Sequence, residues 1–438
     1  MYDAIVLGAR VAGSPTAMLL ARKGYKVLLV DRATFPSDTL STHQVQIYGG
    51  VRLRRWGLLD AVRATNCPPA HRVTFDVGPV ILHGEFPTLD GVGAVHSPRR
   101  TVLDKILVDA ARAADAEVRE NFNVEEILME GGRVTGIRGK DKGRRSVTET
   151  ARIVIGADGQ HSRLARAVQA ATYHTKPALS CGYYTYFSGV PLNGGEIYSR
   201  DRRAIGAWPT NDGLTLIYVA WPIAEFHTVR ADIEGNFLQT LDLAPSLAQR
   251  VRQGKRAERL MGSADFANFY RKPYGSGWAL VGDAGYHKDP ITGLGISDAF
   301  RDAELLADAI DAGFSGGQPM DTALAGYEKQ RNAASEPMYE FTTQLASFAP
   351  PMPEQHVLFE ALHRNQQATN QFFGVLTGAV PYQEFFAPNN LFRVIGPGGM
   401  AKIAWRKTWL GLRSAGQRKL SLQSTSDANA ATSISGGR

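Results

Sequence analysis

Runs of apolar residues end in glycine-rich turns three times along this chain of 438 residues. Asp3 to Leu7 reads as a buried strand, followed by Gly8-Ala9-Arg10-Val11-Ala12-Gly13 and a helical run from Ser14 to Lys23 that Gly24 stops. Lys26 to Val30 is a second apolar strand, closing on Asp31-Arg32. The pattern returns at Ile153-Val154-Ile155, which runs into Gly156-Ala157-Asp158-Gly159 and a helix start capped by His161 or Ser162. It returns again from Trp278 to Val281, with a polar turn at Gly282-Asp283, a loop holding Pro290, and a helix opened by Gly293-Leu294-Gly295. That last helix presents a small, apolar face at Ala299, Ala303, Leu306 and Ala307.

The segments between read more plainly. Phe35 to His43 is a polar loop, and a helical pattern through Gly50 to Trp56 stops at Gly57. Cys67 to Gly93 suggests short strands, and Arg99-Arg100 precede a helix with Val102, Leu103, Ile106, Leu107, Ala110 and Ala111 at helical spacing. Glu117 to Glu125 and Arg133 to Arg138 read as strands, the second introduced by Gly131-Gly132. From Leu179 to Tyr270 the period is mostly two, which predicts an antiparallel β domain broken by a helix over Ile233 to Arg252, itself interrupted at Pro245. Its aromatic residues, among them Tyr183, Tyr184, Tyr186, Tyr218 and Trp221, suit an apolar or aromatic ligand, although a sheet core accounts for most of them.

Composition narrows the classes. Hydrophobic content of 44% and charged content of 21% are those of a soluble globular chain long enough for two or three domains. Two distant cysteines, Cys67 and Cys181, give neither a disulfide framework nor a metal spacing, which fits a reducing cytoplasm. Met1 runs almost directly into a strand, which leaves no room for a targeting peptide, and no apolar run reaches transmembrane length. The net charge of +7 is concentrated at the end: from Pro397 onward stand seven basic residues and one acid, Asp427. The body is nearly neutral, so nucleic acid is not an expected partner. Met400 to Leu420 mixes Trp405, Trp409 and basic residues, a pattern compatible with an anionic membrane surface but expected to dock on the body instead; Ser421 to Arg438 reads as disordered.

Strand, glycine turn, helix, strand and terminal acid form a dinucleotide-binding unit. Gly8 permits the tight turn, Gly13 lets helix and strand approach, and Asp31 stands where a ribose hydroxyl is held. Arg10 occupies the place of the fingerprint's middle glycine, where a guanidinium can pair with phosphate or lie over an adenine edge. The glycines before Ile296 expose backbone N–H groups and the positive end of a helix, a place for phosphate or for negative charge developing on a ring. Asp283, at a strand end, is placed to accept hydrogen bonds from sugar-type hydroxyls.

Taken in order, the turns Gly8 to Gly13 with Asp31, Asp158-Gly159, and Gly282-Asp283 through Pro290 to Gly295, together with Arg100 heading a helix, resemble the flavin-dependent monooxygenases built like para-hydroxybenzoate hydroxylase. The resemblance covers roughly residues 1–335. It implies a Rossmann-like FAD-binding domain of the glutathione-reductase type, with an inserted antiparallel β-sheet substrate domain and a C-terminal helical region. The implied segments are 1–75, 99–178 and 273–335 for FAD, 76–98 and 179–272 for substrate, 336–420 helical, and 421–438 a disordered tail. It places Gly8, Arg10, Val11, Ala12, Gly13, Asp31, Arg32, His43, Arg100, Val124, Asp158, Gly159, Gly282, Asp283, Pro290, Gly293, Leu294 and Gly295 around FAD. Asp31 would hold the adenosine ribose, Arg100 the ribityl–pyrophosphate region, and Asp283 the ribityl hydroxyls. Asp158-Gly159 matches the motif implicated in both FAD and NADPH contact. Tyr286 stands where family members usually carry histidine.

The activity implied is hydroxylation of an aromatic or polycyclic small molecule through a C4a-hydroperoxyflavin, with NAD(P)H as a transient co-substrate and O2. The first alternative is reduction of isolated double bonds in a prenyl substrate, as in the geranylgeranyl reductase branch, to which the Phe35-Pro36 step is similar. Flavin-dependent halogenases often carry Trp-x-Trp-x-Ile-Pro, and none of the six tryptophans here stands in a Trp-x-Trp. A non-enzymatic flavin-binding scaffold would leave Asp158-Gly159 without a use. No catalytic acid or base is singled out; His43, Tyr286, His287 and Asp289 are candidates by their place in the motifs.

Overall fold

In the computed structural model, residues 1–403 are described. Trp405, Trp409 and the 421–438 tail lie outside them. The first turn of the chain forms as its pattern requires: strand β1 (Tyr2–Leu7), helix α1 (Gly13–Arg22) and strand β2 (Val27–Val30) make one βαβ unit, with Ala4 to Leu7 paired in parallel to Val27 to Val30. Strand β3 (Ser146–Gly156) lies parallel on the other side of β1, and β4 (Trp278–Leu280) lies parallel beyond it. All four strands are buried at the pairing zone, so each reads as a continuous apolar run rather than an alternation. Helix α2 (Gly295–Phe314) follows β4 and packs on α1, burying Ala299, Ala303, Leu306 and Ala307.

The aromatic-rich stretch builds a second eight-stranded sheet around Ser180–Ser188, Gly195–Arg200, Arg203–Pro209 and Leu214–Pro222. Two details correct the sequence reading. The sheet is mixed, because Gly195–Arg200 pairs in parallel with Arg72–Asp76, contributed from far upstream. Asn268–Arg271 leaves this sheet and pairs instead with Tyr286–His287 and Thr172–Lys176. The strand expected over Glu117 to Glu125 also breaks in two, at Asn121, whose φ of 53° turns the chain. Pro245 begins a new helix, Pro245–Gln253, where its missing N–H costs nothing.

After α2 the chain is helical: Met320–Ala346, Pro353–His363, Gln366–Leu376 and further turns pack over the edge of both sheets. No helix among the described residues is long and apolar enough to cross a membrane.

Candidate active site

The loops after β1, β3 and β4 leave the same edge of one sheet, so the three glycine turns meet outside the carboxyl ends of adjacent parallel strands. That is where open α/β sheets hold ligands. A cavity of about 790 Å³ lies there. Of the residues singled out above, Gly8, Arg10, Val11, Ala12, Asp31, Arg32, Arg100, Val124, Asp158, Gly159, Asp283, Pro290 and Gly295 line it.

The other five sit behind the wall. A Cβ on Gly13 would stand 1.8 Å from Gly8 O, so Gly13 is required by the closeness of helix to strand. Gly282 has φ +60° and would drive a Cβ to 2.7 Å from Ala12 Cβ. Gly293 is left-handed, with φ +62°, and faces Gln44. Leu294 turns to the far side of α2. His43 is fully buried, and its Nε2 lies 2.7 Å from Tyr186 Oη. Burial, and then the Arg100 charge, push the His43 pKa down to about 3, so it is a neutral imidazole.

Several groups in the cavity have spare capacity. Asp283 is exposed to the cavity and makes no hydrogen bond among the described residues. Asp158 Oδ2 accepts from Arg163 N at 2.6 Å, whereas its buried Oδ1 has no partner among the described residues, and burial raises its pKa. A Cβ on Gly295 or Gly159 would meet nothing within 4 Å, so the open α2 terminus is a cradle that a ligand fills. Asp31 is partly engaged, accepting from Ala9 N at 2.7 Å and Ala33 N at 2.8 Å, which stiffens the turn and leaves lone pairs for a ribose.

Arg10 is held otherwise than the sequence suggests. Its Nη1 lies 2.6 Å from Asp104 Oδ2, and its Nη2 donates to Ser37 Oγ and Asp38 O, both at 3.1 Å. Arg100 grips the same carboxylate through Nε and Nη2. Asp104 therefore fixes two cavity-lining guanidiniums at once. Sequence reasoning missed it, although Arg100 and Asp104 stand four apart on one helix face.

On the side of the second sheet, the cavity is lined by Gly182, Tyr184 and Tyr218, together with Lys288, Asp289 and Pro290 from the loop after β4. Tyr184 Oη and Tyr218 Oη are buried, and among the described residues neither makes a well-formed hydrogen bond, Tyr184 lying against the Ser41 backbone. Asp289 accepts from Ser180 Oγ at 2.6 Å and Ile291 N at 3.0 Å, and burial lifts its pKa to about 6. Tyr286 is not in the cavity: it stacks on Tyr270 with ring centroids 4.6 Å apart and accepts a hydrogen bond from Lys288 Nζ at 2.9 Å. Lys288 Nζ also pairs with Asp298, on α2. His287 lines the cavity with its Nδ1 against Ala267 O.

Residues 1–342 match the family model described as FAD binding domain, and the chain belongs to that family. It is an FAD-dependent oxidoreductase. The digeranylgeranylglycerophospholipid reductase of Methanocella arvoryzae is 26% identical over 335 residues, covering 75% of this chain and 82% of that protein. The kynurenine 3-monooxygenase of Salinispora tropica is 24% identical over 369 residues, covering 77% and 78%. Among solved structures, the myxobacterial chondrochloren halogenase shares the fold with a TM-score of 0.73 at 20% identity, covering 92% of this chain and 96% of the other.

Proposed function

We propose that this protein is a monooxygenase that uses FAD, NAD(P)H and O2 to hydroxylate an aromatic or polycyclic small molecule. The observation that carries this reading is the pair of phenols, Tyr184 and Tyr218, which line the cavity together with Asp289 and Pro290 and whose hydroxyls make no well-formed hydrogen bond among the described residues. A buried hydroxyl left unpaired costs about 1–3 kcal/mol; neither oxygen is open to the cavity in this structure, so a ligand bearing oxygen or nitrogen substituents relieves that cost by drawing the phenols toward it, and a prenyl chain does not.

The named cofactor set, with Asp31, Arg100, Asp158 and Asp283 at its polar points, fits FAD, and the open N–H groups at Gly295 suit the electron-rich pyrimidine edge of the reduced ring. When bound, FAD supplies hydride acceptance and oxygen activation. The chain's own part is to orient the substrate through Tyr184 and Tyr218 and to hold a proton at Asp289, whose pKa of about 6 lets it carry or release one near neutrality. The second sheet, with the 76–98 and 179–272 segments, is assigned to substrate and the remaining segments through 335 to the cofactor.

Double-bond reduction is the second reading, favoured by the likeness to the archaeal reductase. Label from 18O2 in the product of NAD(P)H-driven turnover, with phenolic and polycyclic ligands, supports hydroxylation. Anaerobic saturation of a geranylgeranyl lipid, with no oxygen uptake for any aromatic ligand, replaces it by reduction.

A further inference from the structure

Two guanidiniums stand behind the turns that carry Asp158 and Asp283. Arg271 ends the Asn268–Arg271 strand, half-buried, with its guanidinium carbon 4.2 Å from the centre of the Phe269 ring. Its Nη1 donates to Ala284 O at 2.9 Å, and its Nη2 donates to Gln160 O at 3.0 Å. Ala284 follows Asp283, and Gln160 follows Asp158-Gly159, so one planar group spans the second and third glycine turns. Arg271 itself does not line the cavity.

Arg331, wholly buried on the Met320–Ala346 helix, repeats the grip one residue on. Its Nη1 donates to Gly285 O at 3.0 Å and its Nη2 to Arg271 O at 3.1 Å, while Arg271 N donates to Gly285 O at 2.9 Å. Successive carbonyls of the Asp283 turn are thus taken by different arginines. Asp283 makes no hydrogen bond of its own among the described residues, so its place relative to Asp158 is set through the backbone. A guanidinium carries its donors on a rigid fork, which fixes the separation of the two oxygens it holds; an ammonium is a single point and fixes none. The other ties on the Asp158 turn are exposed: Gln160 Nε2 donates to Asp265 O at 2.9 Å, and His161 Nε2 lies 2.8 Å from Asp265 Oδ2. Water competes for those contacts, which leaves Arg271 as the firmer brace.

We propose that Arg271 is a positioning residue for FAD, its guanidinium fixing the spacing of the Asp158 and Asp283 turns so that both are in place before the cofactor arrives. Arg331 is the footing that keeps Arg271 aimed. A site already ordered does not spend binding energy on ordering itself. The inference rests on FAD occupying this cavity and holds whichever reaction the flavin performs.

The test is fluorescence titration of the apoprotein with FAD in Arg271→Ala, Arg271→Lys and, at the exposed neighbouring position, Lys272→Ala. The expected result is affinity weakened about tenfold or more in both Arg271 variants and unchanged in Lys272→Ala. Methylguanidinium, but not methylammonium, should restore FAD binding to Arg271→Ala, a recovery that a general loss of stability would not show. Arg271→Lys keeps the charge and the aliphatic stem, so it reports even if Arg271→Ala fails to fold. Affinity in Arg271→Lys equal to that of the unaltered protein, an equal loss in Lys272→Ala, or a folded Arg271→Ala that methylguanidinium restores no better than methylammonium would overturn the proposal.

Discussion

Arg10 Nη1 lies 2.6 Å from the wholly buried carboxylate of Asp104, in the position where a dinucleotide fingerprint has its middle glycine. The side chain that breaks the motif thereby ties the first turn to the 35–43 loop and to the helix of Arg100. Restoring the consensus should therefore harm the protein. Arg10→Gly leaves Asp104 with Arg100 alone, and we expect a loss of about 1–3 kcal/mol in urea unfolding together with weaker FAD binding in a fluorescence titration. Tighter FAD binding in that variant would show that Arg10 merely crowds the pyrophosphate.

Two glycines of the site should respond to alanine with opposite signs. Gly13→Ala places a Cβ 1.8 Å from Gly8 O and should cost about 3 kcal/mol or more. Gly295→Ala meets nothing within 4 Å. It should stabilise the apoprotein by about 0.5–1 kcal/mol through helix propensity, yet lower FAD affinity by filling the cradle. Thermal unfolding with and without FAD separates the two effects.

The two cavity phenols give another opposed pair. Tyr184→Phe or Tyr218→Phe should leave the ligand-free protein as stable, or up to about 1 kcal/mol more stable, because no well-formed hydrogen bond is lost. Steady-state kinetics should show KM for an oxygenated aromatic substrate raised severalfold. Unaltered KM in both variants would remove the phenols from the substrate site.

His43 and His96 are buried neutral imidazoles, with pKa values pushed down to about 3 and about 4, chiefly by burial. Between these values and the unfolded value of 6.5 the unfolded chain binds more protons, so stability is lost as pH falls below 6.5. Unfolding free energy should drop by about 1–2 kcal/mol per histidine between pH 6.5 and 5, and His43→Gln should flatten part of that slope.

Asp289 titrates the other way. Its folded pKa is raised from 3.8 to about 6, so its protonated form is favoured in the fold and the stability it contributes is lost as pH rises from about 4 through 6. If it holds a proton for turnover, kcat/KM should show an inflection near pH 6 that Asp289→Asn abolishes. An identical profile in the variant would leave Asp289 a structural partner of Ser180.

What the sequence disclosed, and what it hid, follows from the range of the interactions. The three strand–glycine–helix units are local, and their turns need glycine for reasons visible within a dozen residues, as the Gly13 contact with Gly8 and the left-handed φ of Gly293 show. The parallel pairing of Gly195–Arg200 with Arg72–Asp76 spans more than a hundred residues and leaves no periodic trace at either end. Asp104 was invisible as a site residue because its role depends on Arg10 arriving from another element. Tyr286 looked like part of the reacting loop by position alone; only the stacking on Tyr270 places it beneath that loop. Tyr184 and Tyr218 were legible as sheet aromatics, but their lack of well-formed hydrogen bonds among the described residues is a three-dimensional fact.

The strand order of the cofactor sheet has a consequence for how the molecule is made. β1 waits for β3 and β3 for β4, so the edge of the first βαβ unit stays unsealed until Ser146–Gly156 has been made, and the finished sheet waits until Trp278–Leu280 has left the ribosome. At 5–20 residues per second that interval is roughly 15–55 s. Over the same time Arg72–Asp76 must wait for Gly195–Arg200 before the second sheet can close. The two sheets are thus completed by interleaved returns of one chain. Since Asp283 and Gly295 follow β4, the newborn chain acquires its full cradle only as its last parallel strand docks, and free FAD present at that moment can serve as the clasp that holds the late strand in place.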